Sequence, residues 1–380
     1  MCKRLLLALF CGPLAWGQTA LQHNGGMALH PGSQLGFHTH LINQAPLQAQ
    51  GGLVGFYGSN PLSVSGTAAP VFFDLEIFRT ADVDLNLSVF AANAVNFIEG
   101  DFWTDRALSD RYLGLLQDAF TNGENNLSKV NGSAAAINKQ EILFPVGDAS
   151  ELKGLTLQGS EPYPFARCAY FREDPNFPSI YPQFRTDLKP QTVEFVSTFE
   201  FWRLEGSVPG TITLPWTPSS NLAAIADDPA NIILMGWVKS GQRWIELGTT
   251  AVAGDLSNGF AVSEAFVPDD FEIITFGVRA VAEELTSVGN FYISPNNDGL
   301  NDQLIIPELL DSPNNEIYIY DRRGLLVYQK ENYTDEFTGI SNVDGLVFDR
   351  EAGLPEGIYF YVIRLFDLAT EHQGFLYLRR

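Results

Sequence analysis

Cysteine is nearly absent: three residues in 380. Two of them, Cys2 and Cys11, fall in the first 17 residues. Cys168 alone cannot close an intrachain disulfide, so core burial has to hold the chain together. Its setting, Arg167-Cys168-Ala169-Tyr170, alternates like a strand and reads as a small core position rather than a nucleophile. Positive charge is also short, with 23 Lys and Arg against 45 Asp and Glu and a formal net charge of −22. That balance excludes nucleic acid and anionic lipid as partners of the chain as a whole, since both repel an acidic surface. Beyond the N-terminus no run approaches the roughly 18 apolar residues of a membrane-spanning helix. What is present is 34 Gly, 21 Pro and 45% hydrophobic residues. This is ample material for a core, cut too often by turn formers for a long helical bundle.

The first residues read as an export signal. Met1-Cys2-Lys3-Arg4 is basic, Leu5 to Phe10 is apolar and continues to Trp16, and Ala15-Trp16-Gly17 is a small-x-small cleavage site. Residues 1–17 are therefore expected to be a removed signal peptide. Phe10 before Cys11 departs from the small residue that precedes a lipidated cysteine, so no lipid anchor is assigned.

The rest reads as all-β in three parts. Residues 18–157 are expected to form a Gly-rich, solenoid-like region. Gly25-Gly26-Met27-Ala28-Leu29-His30-Pro31-Gly32-Ser33 resembles Gly51-Gly52-Leu53-Val54-Gly55-Phe56-Tyr57-Gly58-Ser59 at an offset of 26, a spacing that stacked β-coils would give. Within this region Leu108, Tyr112, Leu115, Leu116, Ala119 and Phe120 fall at helical spacing and predict a short helix over 105–120. Residues 158–279 are expected to form a β-sandwich. Its strands are read over 192–204, 211–216, 232–238, 243–247 and 271–276, with Trp202, Trp216, Trp237 and Trp244 as core anchors or, alternatively, as a platform for sugar rings. Residues 280–289 are a polar linker. Residues 290–380 are expected to form a small Ig-like sandwich with strands at 303–306, 316–320, 325–329, 358–366 and 374–378; Ile358 to Ile363 carries apolar groups on both faces and reads as a central strand.

Four ordered motifs mark this last part. They are Ile293-Ser294-Pro295-Asn296-Asn297-Asp298-Gly299-Leu300-Asn301-Asp302, then Tyr320-Asp321-Arg322-Arg323-Gly324, then Leu354-Pro355-Glu356-Gly357-Ile358-Tyr359-Phe360-Tyr361, and a terminal Leu378-Arg379-Arg380. In order and spacing they resemble the gliding-motility-associated C-terminal domain, the type B sorting domain of the Bacteroidota type IX secretion system. Arg323 stands where that family has an aromatic, and Phe337-Thr338-Gly339 where it has a Trp-Asp/Asn-Gly. The resemblance implies export through the outer membrane by the type IX translocon and display at the cell surface or release. It also implies, as a partner, an outer-membrane β-barrel of the PorP/SprF type. It points to Pro295, Asn296, Asp298, Gly299, Asn301, Asp302, Asp321, Arg322, Gly324, Pro355, Gly357, Tyr359, Tyr361, Arg379 and Arg380 as the sorting-motif residues.

These residues also have a local reading. Asn296, Asp298 and Asp302 around Gly299 form an Asx-rich turn. Their spacing overlaps an EF-hand loop, which makes Asn296, Asp298 and Asp302 candidate calcium ligands. Ser294 and Ile305, however, occupy places where that loop needs hard ligands. No cofactor is otherwise expected. His38 and His40 could form half of a metal site on one strand face, with no nearby acid to complete it. No nucleophile elbow, His-Glu-x-x-His helix, Walker loop or dinucleotide fingerprint occurs. The expected protein is a non-enzymatic, exported surface component with an adhesive, structural or binding role and an unidentified external ligand. The alternative is a carbohydrate-binding module or polysaccharide-active enzyme on the same export route.

Overall fold

The computed structural model describes residues 19–280, 289–306, 309, 312–343, 353–367 and 370–380. The expected signal peptide and most of the expected linker lie outside them. Among the described residues strands predominate, and helix is confined to short 3-10 turns. The chain divides into two compact units, Met1–Ala280 and Val281–Arg380.

The first unit begins as a β-solenoid of about five turns. Seven parallel strands line one wall, from Ala20–His23 to Val146–Gly147, and a second parallel series lines the other. The stack holds because each coil places an apolar residue above its equivalent in the last. Leu62, Val83, Phe102, Val130 and Val146 pair in succession, one per coil, and all are buried. Phe37, Phe56, Ile77 and Phe97 form a second such column. Each fully buried side chain of this kind contributes about 1.5–3 kcal/mol.

The sequence offset of 26 is not the register of this stack. Ala20 pairs with His40, Gln34 with Leu53 and Leu41 with Val64, so these coils repeat every 19 to 23 residues. The two Gly-Gly pairs that suggested the longer period sit at non-equivalent corners. Gly52 adopts φ +88°, and a Cβ there would lie 2.7 Å from the Ser33 carbonyl oxygen, so the corner requires glycine.

The helix expected over 105–120 does not form. Leu113–Leu115 is a strand held between Val89–Ala91 on one side and Ala134–Ala136 on the other, burying Leu113 and Leu115. Parallel partners on both sides outweigh a helical spacing that only a free face could use.

The solenoid continues directly into the sandwich. Ser133–Ala136 pairs antiparallel with Ala166–Phe171, and that sheet runs on through Phe201–Gly206, Phe271–Arg279, Ile232–Val238 and Arg243–Glu246. The boundary expected at 157/158 falls inside the strand Leu155–Tyr163. The strand expected over 192–204 is two, Val193–Val196 and Phe201–Gly206. A second, five-stranded antiparallel sheet faces this one, built from Lys139–Phe144, Leu155–Tyr163, Gly210–Trp216, Gly259–Ser263 and Thr249–Gly254. Phe276 joins the two layers, with Trp202 at 5.7 Å and Trp216 at 5.9 Å, both edge-on.

The second unit has one five-stranded sheet in the order Phe291–Ile293, Thr370–Leu378, Gly357–Leu365, Asn315–Asp321, Leu326–Glu331. Its inner face packs Ile317, Ile319, Tyr361, Ile363, Leu376 and Leu378 against Leu304, Ile306, Tyr333, Phe337 and Leu354, which arrive on connecting segments. Residues 303–306 are not a strand. They lie instead as an irregular cover pinned by the Tyr333 hydroxyl, which donates to the Leu304 carbonyl at 2.6 Å.

Candidate functional site

The four sequence motifs meet at one end of the C-terminal sheet. Ile293 pairs with Leu378, Leu378 with Gly357, and Tyr359 with Asp321. The Asx-rich turn after Ile293, the Asp321–Gly324 hairpin, the Leu354–Gly357 turn and the terminal arginines are therefore neighbours, although they span residues 293–380. A cleft of 310 Å³ opens between two of them, lined by Asp321, Arg322, Arg323, Pro355, Glu356 and Tyr359 among others.

The motif aspartates at this end each serve a turn. Asp302 accepts backbone N–H bonds from Asn296, Asn297 and Gly299 at 3.0, 2.7 and 2.8 Å. Those bonds, that from Gly299 first, hold its carboxyl below the usual carboxylate range. Asp298 accepts from the Leu300 amide at 2.8 Å and the Asn296 side-chain amide at 2.9 Å. Asn297, Gly299 and Asn301 all take positive φ, the Asx-turn backbone that the sequence suggested. The oxygens of the three candidate calcium ligands are thus engaged by amides of their own turn, and among the described residues no group of three or more His, Cys, Asp or Glu is placed to hold a metal. Asp321 accepts from the amides of Arg323 and Leu325, closing the hairpin. The Tyr359 hydroxyl donates to the Pro355 carbonyl at 2.7 Å and fixes the third turn.

All four arginines at this end are exposed, and Arg380 differs in what its guanidinium bonds. Arg380 bonds the carbonyls of Leu354 and Gly339, so the last residue clamps the inner cover and is not an extended basic tail. Arg322, Arg323 and Arg379 are exposed. Tyr361 lies away from this end: it is buried in the core with its hydroxyl donating to the Gly289 carbonyl.

Residues 286–378 match the family model of the type IX secretion signal domain, CHU_C. The C-terminal unit carries a type IX secretion signal. Searches of curated proteins and of solved structures return no match. The sorting domain therefore accounts for under a quarter of the chain, and it implies interaction with the type IX machinery and placement outside the cell.

The sorting domain also has a feature that the sequence pattern leaves open. Gly357–Leu365 is central in the sheet, as its double apolar pattern suggested, but the described residues cover only one of its faces. Ile358 and Phe360 on the other face are 48% and 49% exposed. Alternation indicates two faces and cannot say that both are buried.

In the first unit the other candidate positions are structural. Trp202, Trp216, Trp237 and Trp244 are all buried, and so is Cys168, whose thiol burial pushes up well above its ordinary value. His38 and His40 do not share a strand: His38 packs on the Tyr57 ring, while His40 starts its strand and pairs through Nδ1 with Ser63 Oγ at 2.9 Å. Sequence inspection gave no sign of two buried ion pairs. Lys129 holds both Asp101 oxygens at 2.9 and 3.1 Å, and Lys153 lies 3.1 Å from Glu200, which also accepts from the Tyr170 hydroxyl.

Proposed function

We propose that the protein is a non-enzymatic cargo of the type IX route, displayed at the cell surface, where the solenoid and sandwich serve an adhesive, structural or binding role. The observation that carries this reading is the fate of the aromatic residues in the first unit. The four tryptophans that could have formed a sugar platform fill its core instead. Its buried Lys129–Asp101 and Lys153–Glu200 pairs are closed by partners rather than opened onto a cleft. A long parallel stack supplies a rigid, acidic outer surface, and a surface of that kind suits contact more than turnover. In this reading the PorP/SprF-type barrel is the anchoring partner, and the Asn296–Asp302 turn keeps its shape without calcium.

The test is a panel of acidic and neutral polysaccharides incubated with the purified full chain. The expected result is no new reducing ends from any of them. Release of oligosaccharides, lost on substitution of a carboxylate in the first unit, would replace this reading with an enzymatic one. A cell-adhesion assay with and without the displayed protein addresses the contact role, and equal attachment would remove it.

A further inference from the structure

We infer that the face of the sorting-domain sheet that the described residues leave uncovered is the surface that a protein component of the type IX machinery covers, and that this component presents an apolar patch with an acidic rim. The inference rests on the sorting-domain assignment and goes beyond it by naming the face and the chemistry of its partner.

The outer face is graded along the strands. At the motif end Tyr292, Tyr377 and Ile358 form one cross-strand row, and Phe375, Phe360 and Tyr320 the next. Tyr292 and Tyr377 stack at 6.1 Å with an 11° interplanar angle. Further along come Gln373, Val362 and Tyr318, and the far row is Glu371, Arg364 and Glu316, tied together by ion pairs. Aromatic side chains this exposed on adjacent strands make a contiguous patch, which a soluble surface rarely leaves without a partner.

The charge beside the patch selects that partner. Arg379 follows the edge of the aromatic rows, its backbone N–H donating to the Ile293 carbonyl next to Tyr292, and its exposed side chain is joined by Arg322 and Arg323 on the neighbouring hairpin. The acids at this end are held by turn amides or, for Glu356, by the Tyr377 hydroxyl at 2.9 Å. In a chain of net charge −22 this is an arginine-rimmed aromatic surface. Tyr and Arg beside buried apolar anchors are the composition of protein interface hot spots, and the complementary surface is apolar inside and acidic outside.

The test uses the full chain in a cell with a working type IX system, read by protease accessibility of intact cells. Four forms are compared: wild type, a deletion of residues 290–380, Phe360→Ser with Phe375→Ser, and Arg322→Glu with Arg379→Glu. Two lost hot spots correspond to a loss of roughly tenfold or more. Both double variants should therefore show at least that fall in surface protein while the purified chains keep wild-type circular dichroism. Should the serine pair unfold, the arginine pair decides, because its side chains lie in a turn and at the terminus. If deletion stops display and both folded double variants are displayed normally, the face inference is wrong and the sorting reading stands. If deletion changes nothing, the sorting reading itself fails. A purified wild-type dimer that the serine pair makes monomeric, or flotation with anionic vesicles that the arginine pair abolishes, would assign the face to a second copy or to lipid and overturn the proposal.

Discussion

The two units place the same residue types in opposite ways. In residues 19–280 Trp202, Trp216, Trp237 and Trp244 all point inward, and two lysine–carboxylate pairs are buried in the same unit, while the aromatics left outside are scattered phenylalanines such as Phe78 and Phe177. In residues 289–380 a row of aromatics points outward, and the carboxylates at the motif end lie in turns, bonded by backbone amides. Buried aromatics and closed ion pairs make a unit that resists change. Outward aromatics beside exposed arginines make a unit that has to be recognised. The contrast matches a division into cargo and signal.

The largest expected effects lie inside the first unit. Lys129→Ala leaves the buried Asp101 without its partner and should cost about 3–5 kcal/mol. Trp202→Ala removes the ring between Tyr170 and Phe276 and also the indole N–H bond to the Lys153 carbonyl, at about 3–5 kcal/mol. Denaturant unfolding followed by tryptophan fluorescence reads both, and losses below about 1 kcal/mol would mean that this core is not as closed as described. Gly299→Ala comes next. Its φ of +86° suits glycine while no atom lies within 4 Å of the added Cβ, so only backbone strain of about 1 kcal/mol is expected. Phe360→Ala should sit near the bottom, within about 0.5 kcal/mol. A cost comparable to that of Trp202→Ala would show that the outer face is core and erase the contrast.

The smallest effects come from pH, and the two units should differ in sign. Burial pushes Asp101 up to about 6 against the pull of Lys129. A raised folded pKa gives stability that is complete below the unfolded value near 4 and is lost as pH rises through about 6. Wild type compared with Asp101→Asn should therefore gain stability on going from pH 7 to 5. Asp302 is shifted down, so its contribution is complete above the ordinary aspartate value and is lost as pH falls through the depressed one. Amide chemical shifts of Asn296, Asn297 and Gly299 should then stay constant from pH 7 to 5 and move together only in stronger acid.

Much of this architecture could be read from local sequence, because strands and turns declare themselves locally. The Asx turn, the hairpin at Asp321–Gly324 and the strand at Ile232–Val238 each follow from residues within a few positions of one another. The solenoid register was not legible, because coils of 19 to 23 residues with unequal corners hide their period from a match of glycine pairs. The 105–120 segment shows the same limit: only neighbouring coils decide that Leu113–Leu115 is a strand. At the candidate site the motif residues were legible as a set. Their convergence on one end of a sheet, the clamp made by Arg380 and the open aromatic face were not, since each depends on pairing between strands far apart in sequence.

The central claim is that the C-terminal unit takes the rest of the chain out of the cell. Its most direct measurement is surface exposure, by whole-cell protease digestion and fractionation, of the chain with and without residues 290–380. The expected result is full-length protein at the surface or in the medium, with the truncated chain held inside the outer membrane as a folded first unit. Equal exposure of the two forms would contradict the account.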